Sequence, residues 1–174
     1  MKILAEISDR SLGIDPNAEI VEHTFRVRKS ARCVLLNEAG EVSLQHVRKK
    51  GFYKLPGGGV EPGETEEEAL RREVIEEVGC AITDIQELGV VMQYFNRNKL
   101  LHIAYGYLAR VEGGIGEPCF EEGELADGMK PVWCSLEKAQ ERINPDTVRH
   151  PYEGQFIVRR ERILLDAAAQ FLEK

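Results

Sequence analysis

No apolar run in the 174 residues approaches the length of a membrane-spanning helix, and MKILAEISDR at the start carries no long apolar core of a secretion signal. A cytoplasmic location is therefore the expectation, with no membrane partner. Cysteine is sparse and scattered. Cys33, Cys80, Cys119 and Cys134 form no CxxC pair, and no histidine stands at zinc-ligand spacing from them. They read as reduced, small apolar residues rather than as a disulfide framework or a zinc site. Positive charge is not in excess either. The formal net charge is -7 and the pI is near 5.3. A stable nucleic-acid complex, which normally needs a basic face, is not expected. Internal repeats and low-complexity segments are absent. What remains is ordinary for a globular chain, 43% hydrophobic and 30% charged, long enough for one domain over 1–174 with a proper core.

Negative charge is concentrated in one place. Gly58 to Cys80 reads GGVEPGETEEEALRREVIEEVGC, after the glycine-rich entry Leu55-Pro56-Gly57. Thr65 and Glu68 have capping-box spacing, so a helix is predicted from about Glu66. Gly79 suits a left-handed stop, so it ends near Val78. Glu73, Glu76 and Glu77 then share one helical face, where like charges repel by a few tenths of a kcal/mol per pair (~0.2–0.5). Glu77 also falls beside the apolar stripe Leu70, Val74 and Val78, at the border of the core. Carboxylates there need a counter-charge or must stay protonated. Oxygen ligands without nearby histidine or a cysteine pair point to Mg2+, with Mn2+ as a substitute. The competing reading is a plain solvated acidic helix.

The spacing Gly58, five residues, Glu64, seven residues, then Arg72-Glu73-Val74-x-Glu76-Glu77-x-Gly79 resembles the Nudix box. Cys80 stands at a position that is usually aliphatic, a departure that concerns packing. The resemblance implies a family mostly of hydrolases that cut a nucleoside diphosphate joined to another group. It implies an α/β fold (α+β by some schemes), a mixed β-sheet sandwiched between helices, with the box as a loop–helix–loop. By resemblance, Glu73, Glu76, Glu77 and the backbone carbonyl of Gly57 are metal ligands. Arg72 and Glu64 support the cluster, and a guanidinium suits bidentate pairing with carboxylates. A further acidic residue often comes from beyond the box; Glu121 and Glu122 are favoured in the Glu-rich loop 112–130, with Glu124 as another candidate. Exchange of Glu76 or Glu77 for Gln is expected to remove turnover and leave the fold intact.

The substrate is a nucleotide-type small molecule: a nucleoside triphosphate, an oxidised one, or a nucleotide-sugar such as ADP-ribose. Phe95 stands where ADP-ribose hydrolases typically have proline, and the NADH and coenzyme A hydrolase patterns are absent. Two other readings are a non-catalytic nucleotide-binding or regulatory domain, opposed by the complete set of box glutamates, and an isoprenoid diphosphate isomerase, for which no catalytic pair is placed. Gly58, Gly59, Arg48 and Tyr53 are candidate substrate contacts, beside a locally basic stretch from Lys49 to Lys54.

Alternation and turn signals place strands at Lys2–Ile7, Ile20–Arg28, Arg32–Leu36, Glu41–Arg48, Ile82–Tyr94 and Leu100–Val111. Tyr105 and Tyr107 share one face of the last, more consistent with core than with base stacking, and His102, Ala104 and Gly106 share the other. Ser135 caps a helix from Leu136 to Ile143, stopped by Asn144-Pro145. A polar linker leads to an amphipathic helix over about 155–173, which leaves room for a homodimer.

Overall fold

The computed structural model describes residues 1–21, 24–144 and 151–173. The strands are β1 (Ile3–Ser8), β2 (Arg26–Leu36), β3 (Val42–Val47), β4 (Phe52–Lys54), β5 (Ala81–Phe95), β6 (Leu100–Glu112) and β7 (Met129–Cys134). The helices are α1 (Glu66–Val78), α2 (Glu122–Ala126), α3 (Leu136–Arg142) and α4 (Tyr152–Leu172). A seven-stranded sheet runs in the order β1-β5-β6-β2-β3-β4, and β7 adds to β3. It is mixed: β1–β5 and β2–β6 are parallel, while β5–β6 and β3–β4 are antiparallel. This is the mixed α+β arrangement of sheet and helices that the sequence led one to expect.

The sheet sits between two apolar layers because its central strands are apolar on both faces. On β2, Ala31, Cys33 and Leu35 pack with Leu70, Val74 and Val78 of α1. Val34 and Leu36 face the opposite way, toward Phe156, Leu164 and Leu165 of α4. Gly106 is where α4 comes closest, since a Cβ there would lie 2.2 Å from Leu164 Cδ2. Tyr107 is buried in the α1 layer with Tyr105 packed against it, so these tyrosines are core, as their alternation suggested. Cys80 is buried in the same layer, and all four cysteines are free thiols.

Three boundaries differ from the sequence reading. The two strands expected at 20–28 and 32–36 form one strand, because β2 pairs with β6 without interruption from Arg26↔Leu100 to Leu36↔Arg110. The early part of that expectation includes Glu22 and His23, which lie outside the described residues, as does Pro145 of the predicted helix stop. The loop 112–130 contains α2 and the start of β7. The final helix begins at Tyr152, with Gly154 buried in its first turn, so the polar linker does not reach Gly154. Tyr152 is held from outside the helix: its hydroxyl donates to Asp9 Oδ1 (2.6 Å), and the Arg97 guanidinium lies over its ring at 4.1 Å.

Beneath α4 runs a buried polar chain. Gln93 Nε2 donates to the Phe156 carbonyl (2.8 Å), and its Oε1 accepts from Arg160 Nη1 (3.1 Å). Arg160 pairs with Glu161 and also approaches His102 Nδ1 at 3.4 Å. A guanidinium only donates, so Nδ1 carries the lone pair and Nε2–H donates to Ser30 Oγ (2.8 Å). His102 is thus neutral, and burial, then the charges of Arg160, Arg32 and Arg28, lowers its pKa to about 2. An unfolded chain takes up that proton below about 6.5, so stability is full above that pH and is lost as pH falls. We expect the unfolding free energy to drop between pH 7 and pH 5, by up to about 1.4 kcal/mol per pH unit for one proton. Urea titrations should show a shallower slope for His102→Gln; an unchanged slope would refute this account.

Candidate active site

The helix α1 has the ends its sequence specifies. Thr65 Oγ1 accepts from Glu68 N (3.2 Å), the Glu68 carboxylate accepts from Thr65 N (2.8 Å), and Gly79 closes the helix at φ 79°. Distant elements then fasten it. Gln45 Nε2 of β3 donates to the Glu77 carbonyl (2.9 Å). Two backbone bonds, Gly116 N to Gly79 O (2.8 Å) and Cys119 N to Glu76 O (2.7 Å), lay the 112–121 loop against the C-terminal end of α1.

Glu77 is only 1% exposed, and both its oxygens are used. Oε1 accepts from Lys54 Nζ (2.9 Å) and Oε2 from Gly57 N (2.7 Å). Burial pushes its pKa up; Lys54, Arg32 and the Gly57 amide pull the other way. The cation and the amide are what make a carboxylate tolerable at that depth. The glycine loop is pulled onto α1 as a result. Gly57 has φ 125°, and a Cβ there would lie 2.2 Å from the Ala31 carbonyl oxygen, so only glycine fits. At Gly58 a Cβ would lie 2.2 Å from Glu73 Oε1. The missing side chain is the space that the Glu73 carboxylate occupies.

Arg72 organises the other carboxylates. Its Nε and Nη2 reach the two Glu64 oxygens at 2.7 and 3.1 Å, and Nη2 also donates to the Gly59 carbonyl (3.0 Å). The guanidinium holds Glu64 ionised, with its pKa lowered to about 2. Nη1 lies between Glu73 (2.9 Å) and Glu76 (3.1 Å). Burial raises the Glu73 pKa, against Arg72. The counter-charges that the acidic face needs are thus partly internal: Lys54 for Glu77 and Arg72 for Glu73 and Glu76. No three His, Cys, Asp or Glu side chains among the described residues already surround one point. The pair Glu73 and Glu76 nevertheless takes one positive group between two hard oxygen donors, which suits a divalent cation of the magnesium type.

Two cavities meet here. One of about 400 Å³ is floored by Gly57–Gly59 and walled by Glu73, Glu76 and Glu77. The other, about 330 Å³, is lined by Phe52, Phe95, Leu100, Met129 and Ile157 together with Arg160. Arg28, Arg32, Lys54, Glu121 and Glu124 border both. The structure therefore brings Glu64, Arg72, Glu73, Glu76, Glu77, Gly57, Gly58, Gly59 and Glu121 together. It does not bring in Glu122, which is exposed on α2 and lines neither cavity. Glu124 is there instead, 3.9 Å from Lys54, because one helical turn sets 121 and 124 on the same side; Glu124 Oε2 accepts from Glu121 N (3.1 Å). Tyr53 stacks on His46 with ring centroids 4.4 Å apart, and Arg48 lies against Gly128, so the walls of both cavities are made of other residues. Arg28, Arg32 and Arg160 were not foreseen. Strand alternation alone put Arg32 on the same side as Val34, away from α1, and this was the signal available.

The environments of Glu76 and Glu77 also separate two substitutions that the sequence treats alike. Glu76 has a side chain 38% exposed, so Glu76→Gln should leave the fold intact. Glu77→Gln strands Lys54 and weakens the tie to Gly57, and should cost about 1–3 kcal/mol of stability. Thermal unfolding of the two variants side by side checks this; equal melting temperatures would contradict it.

A NUDIX domain model matches residues 26–153. The chain is 30% identical over 110 residues to the oxidized purine nucleoside triphosphate hydrolase of Danio rerio, covering 60% of this chain and 65% of that protein. It is 36% identical over 104 residues to the NAD-capped RNA hydrolase NudC of Pasteurella multocida, covering 59% of this chain and 34% of that one. The matched part is thus less than two thirds of either relative. Among solved structures, a MutT NUDIX hydrolase from Burkholderia pseudomallei aligns with TM-score 0.56 at 26% identity, over 82% of this chain and 98% of that one. A NUDIX hydrolase from Nitrosomonas europaea shares the fold, with TM-score 0.61 at 16% identity over 83% and 90% of the two chains. With the family model covering most of the chain and the loop–helix–loop geometry built from the same residues, this protein belongs to the NUDIX family.

Proposed function

We propose that the protein is a hydrolase of acid anhydrides that cuts a phosphoanhydride bond in a nucleoside diphosphate linked to another group, with a divalent cation as cofactor. The substrate classes are a nucleoside triphosphate, an oxidised one, or a nucleotide-sugar such as ADP-ribose. The observation that carries this reading is the sharing of one strip, Arg28, Arg32 and Lys54, by the cavity of carboxylates and the partly apolar cavity. A diphosphate laid on that strip has its charged centre beside Glu73 and Glu76 and its organic group among Phe52, Phe95 and Leu100. The relatives named above, hydrolases of an oxidised purine nucleotide and of NAD-capped RNA, support a nucleotide-type substrate.

In this reading Glu73 and Glu76 would hold the cation, with Glu77 and the Gly57 carbonyl as further donors. Bound magnesium, or manganese in its place, would supply positive charge at the phosphates and make a water more acidic. Glu77 keeps the glycine loop against α1, and Arg72 aims Glu73 and Glu76 while pinning Glu64 and the Gly59 carbonyl. A water oxygen attacks one phosphorus, the bridging P–O bond breaks, and the leaving phosphate takes the electron pair. Glu121 or Glu124, at the border of the cavity, takes the proton from water.

Purified protein with magnesium, offered a panel of nucleoside triphosphates, 8-oxo-dGTP and nucleotide-sugars, should release monophosphate, pyrophosphate or phosphate. Glu76→Gln should lower kcat by about 100-fold or more while keeping the melting temperature. Chelation by EDTA should abolish turnover, and added magnesium restore it. Tight nucleotide binding without hydrolysis across the panel would instead identify a ligand-sensing domain, and wild-type kcat in Glu76→Gln would remove that residue from the chemistry.

A further inference from the structure

Most cations around the two cavities have an acidic partner. Lys54 is paired with Glu77, Arg72 with Glu64, Lys50 with Asp127 and Arg160 with Glu161. Arg32 differs. It is 7% exposed, yet it forms no ion pair among the described residues. Nη1 donates to the Gly57 carbonyl oxygen, and Nε, fully enclosed, has no hydrogen-bond partner. Its nearest acidic neighbours are engaged elsewhere: Glu77 by Lys54 and the Gly57 amide, Glu73 by Arg72. Arg28, the other cation of the strip with no ion pair among the described residues, is exposed and can be compensated by water. A buried guanidinium without an ion pair is costly, and the carboxylates of Glu73 and Glu77 act on this one only across space.

Its position says which anion would. Arg32 stands on the central strand β2 between Ala31 and Cys33, both wholly buried, so its backbone has little freedom. Ser30 on the same strand is tied through His102 to Arg160, which keeps a second guanidinium behind it. The side chain borders both the carboxylate cavity and the partly apolar cavity, at their junction. A fork of N–H donors fits two oxygens of a phosphate, where a lysine offers one point charge.

Resting on the hydrolase reading above, we propose that Arg32 binds the substrate's phosphate directly. It takes a non-bridging oxygen of the diphosphate on the side away from Glu73 and Glu76, and thereby selects ligands with two linked phosphates at the junction of the cavities. Arg32 is then a substrate-binding residue, not merely a support for the glycine loop.

Inorganic pyrophosphate with magnesium is the probe. Calorimetric titration should show binding to the wild type, weakened tenfold or more in both Arg32→Lys and Arg32→Gln. The lysine variant keeps a donor for the Gly57 carbonyl, so a purely structural role predicts affinity within twofold of wild type, and that result overturns the proposal. With a hydrolysed substrate from the panel, Arg32→Lys should raise KM tenfold or more and change kcat less. Crystals of wild type with magnesium and α,β-methylene-ADP decide the matter even if both variants fail to fold. Arg32 within ~2.7–3.1 Å of a phosphate oxygen supports the proposal, and a phosphate bound out of its reach overturns it. Absence of pyrophosphate binding by wild type overturns it as well. Pyrophosphate bound through Arg32 with no turnover across the panel would sink the hydrolase reading alone; turnover with wild-type KM in Arg32→Lys would sink the Arg32 assignment alone.

Discussion

One buried carboxylate holds the site together. Glu77 receives Lys54 from β4, Gly57 from the glycine loop and, at its own carbonyl, Gln45 from β3. Three separate stretches of chain are thereby referred to one helical residue. The ionised form is desolvated and compensated at once, by a cation and a backbone amide, which is the condition for charge at that depth. The glycine floor of the carboxylate cavity follows from this clamp. Gly57 is brought so close to β2 that no side chain fits, and Gly58 is left as the bed of Glu73.

The remaining carboxylates are divided by partner. Arg72 keeps Glu64 ionised and structural while it spans the gap between Glu73 and Glu76 with a single nitrogen. Of the three acidic residues on the α1 face, one is committed to the fold and two are directed into the cavity. That division explains how a helix with repelling charges is stable. It also moves part of the charge balance from a metal, where the sequence placed it, to arginine and lysine within the chain.

Across the sheet the same strand serves two layers. Ala31 and Cys33 of β2 anchor α1, while Ser30 and Arg32 look into the layer of α4. The partly apolar cavity arises where α4, β4 and the start of β7 do not close over these polar residues. The neutral His102 and the paired Arg160 make that floor polar.

Local rules settled α1 in full: Thr65 and Glu68 start it, Gly79 ends it, and the i, i+3, i+4 spacing puts Glu73, Glu76 and Glu77 on one face. They also placed most strands and the sides of β6, because alternation and helical period depend only on neighbours in sequence. The break expected at 29–31 was wrong, since Lys29, Ser30 and Ala31 pair with Ile103, Ala104 and Tyr105 of β6 in register with the residues on either side. Which loop glutamate reaches the cavity was decided by the short turn of α2, favouring Glu121 and Glu124 over Glu122. That Lys54 meets Glu77, 23 positions away, and that Arg32 is buried with no ion pair among the described residues, are products of tertiary packing alone. Spacing along a chain sets which side chains share a face; only the folded sheet sets which faces meet, and so which charges find a partner and which are left for a ligand.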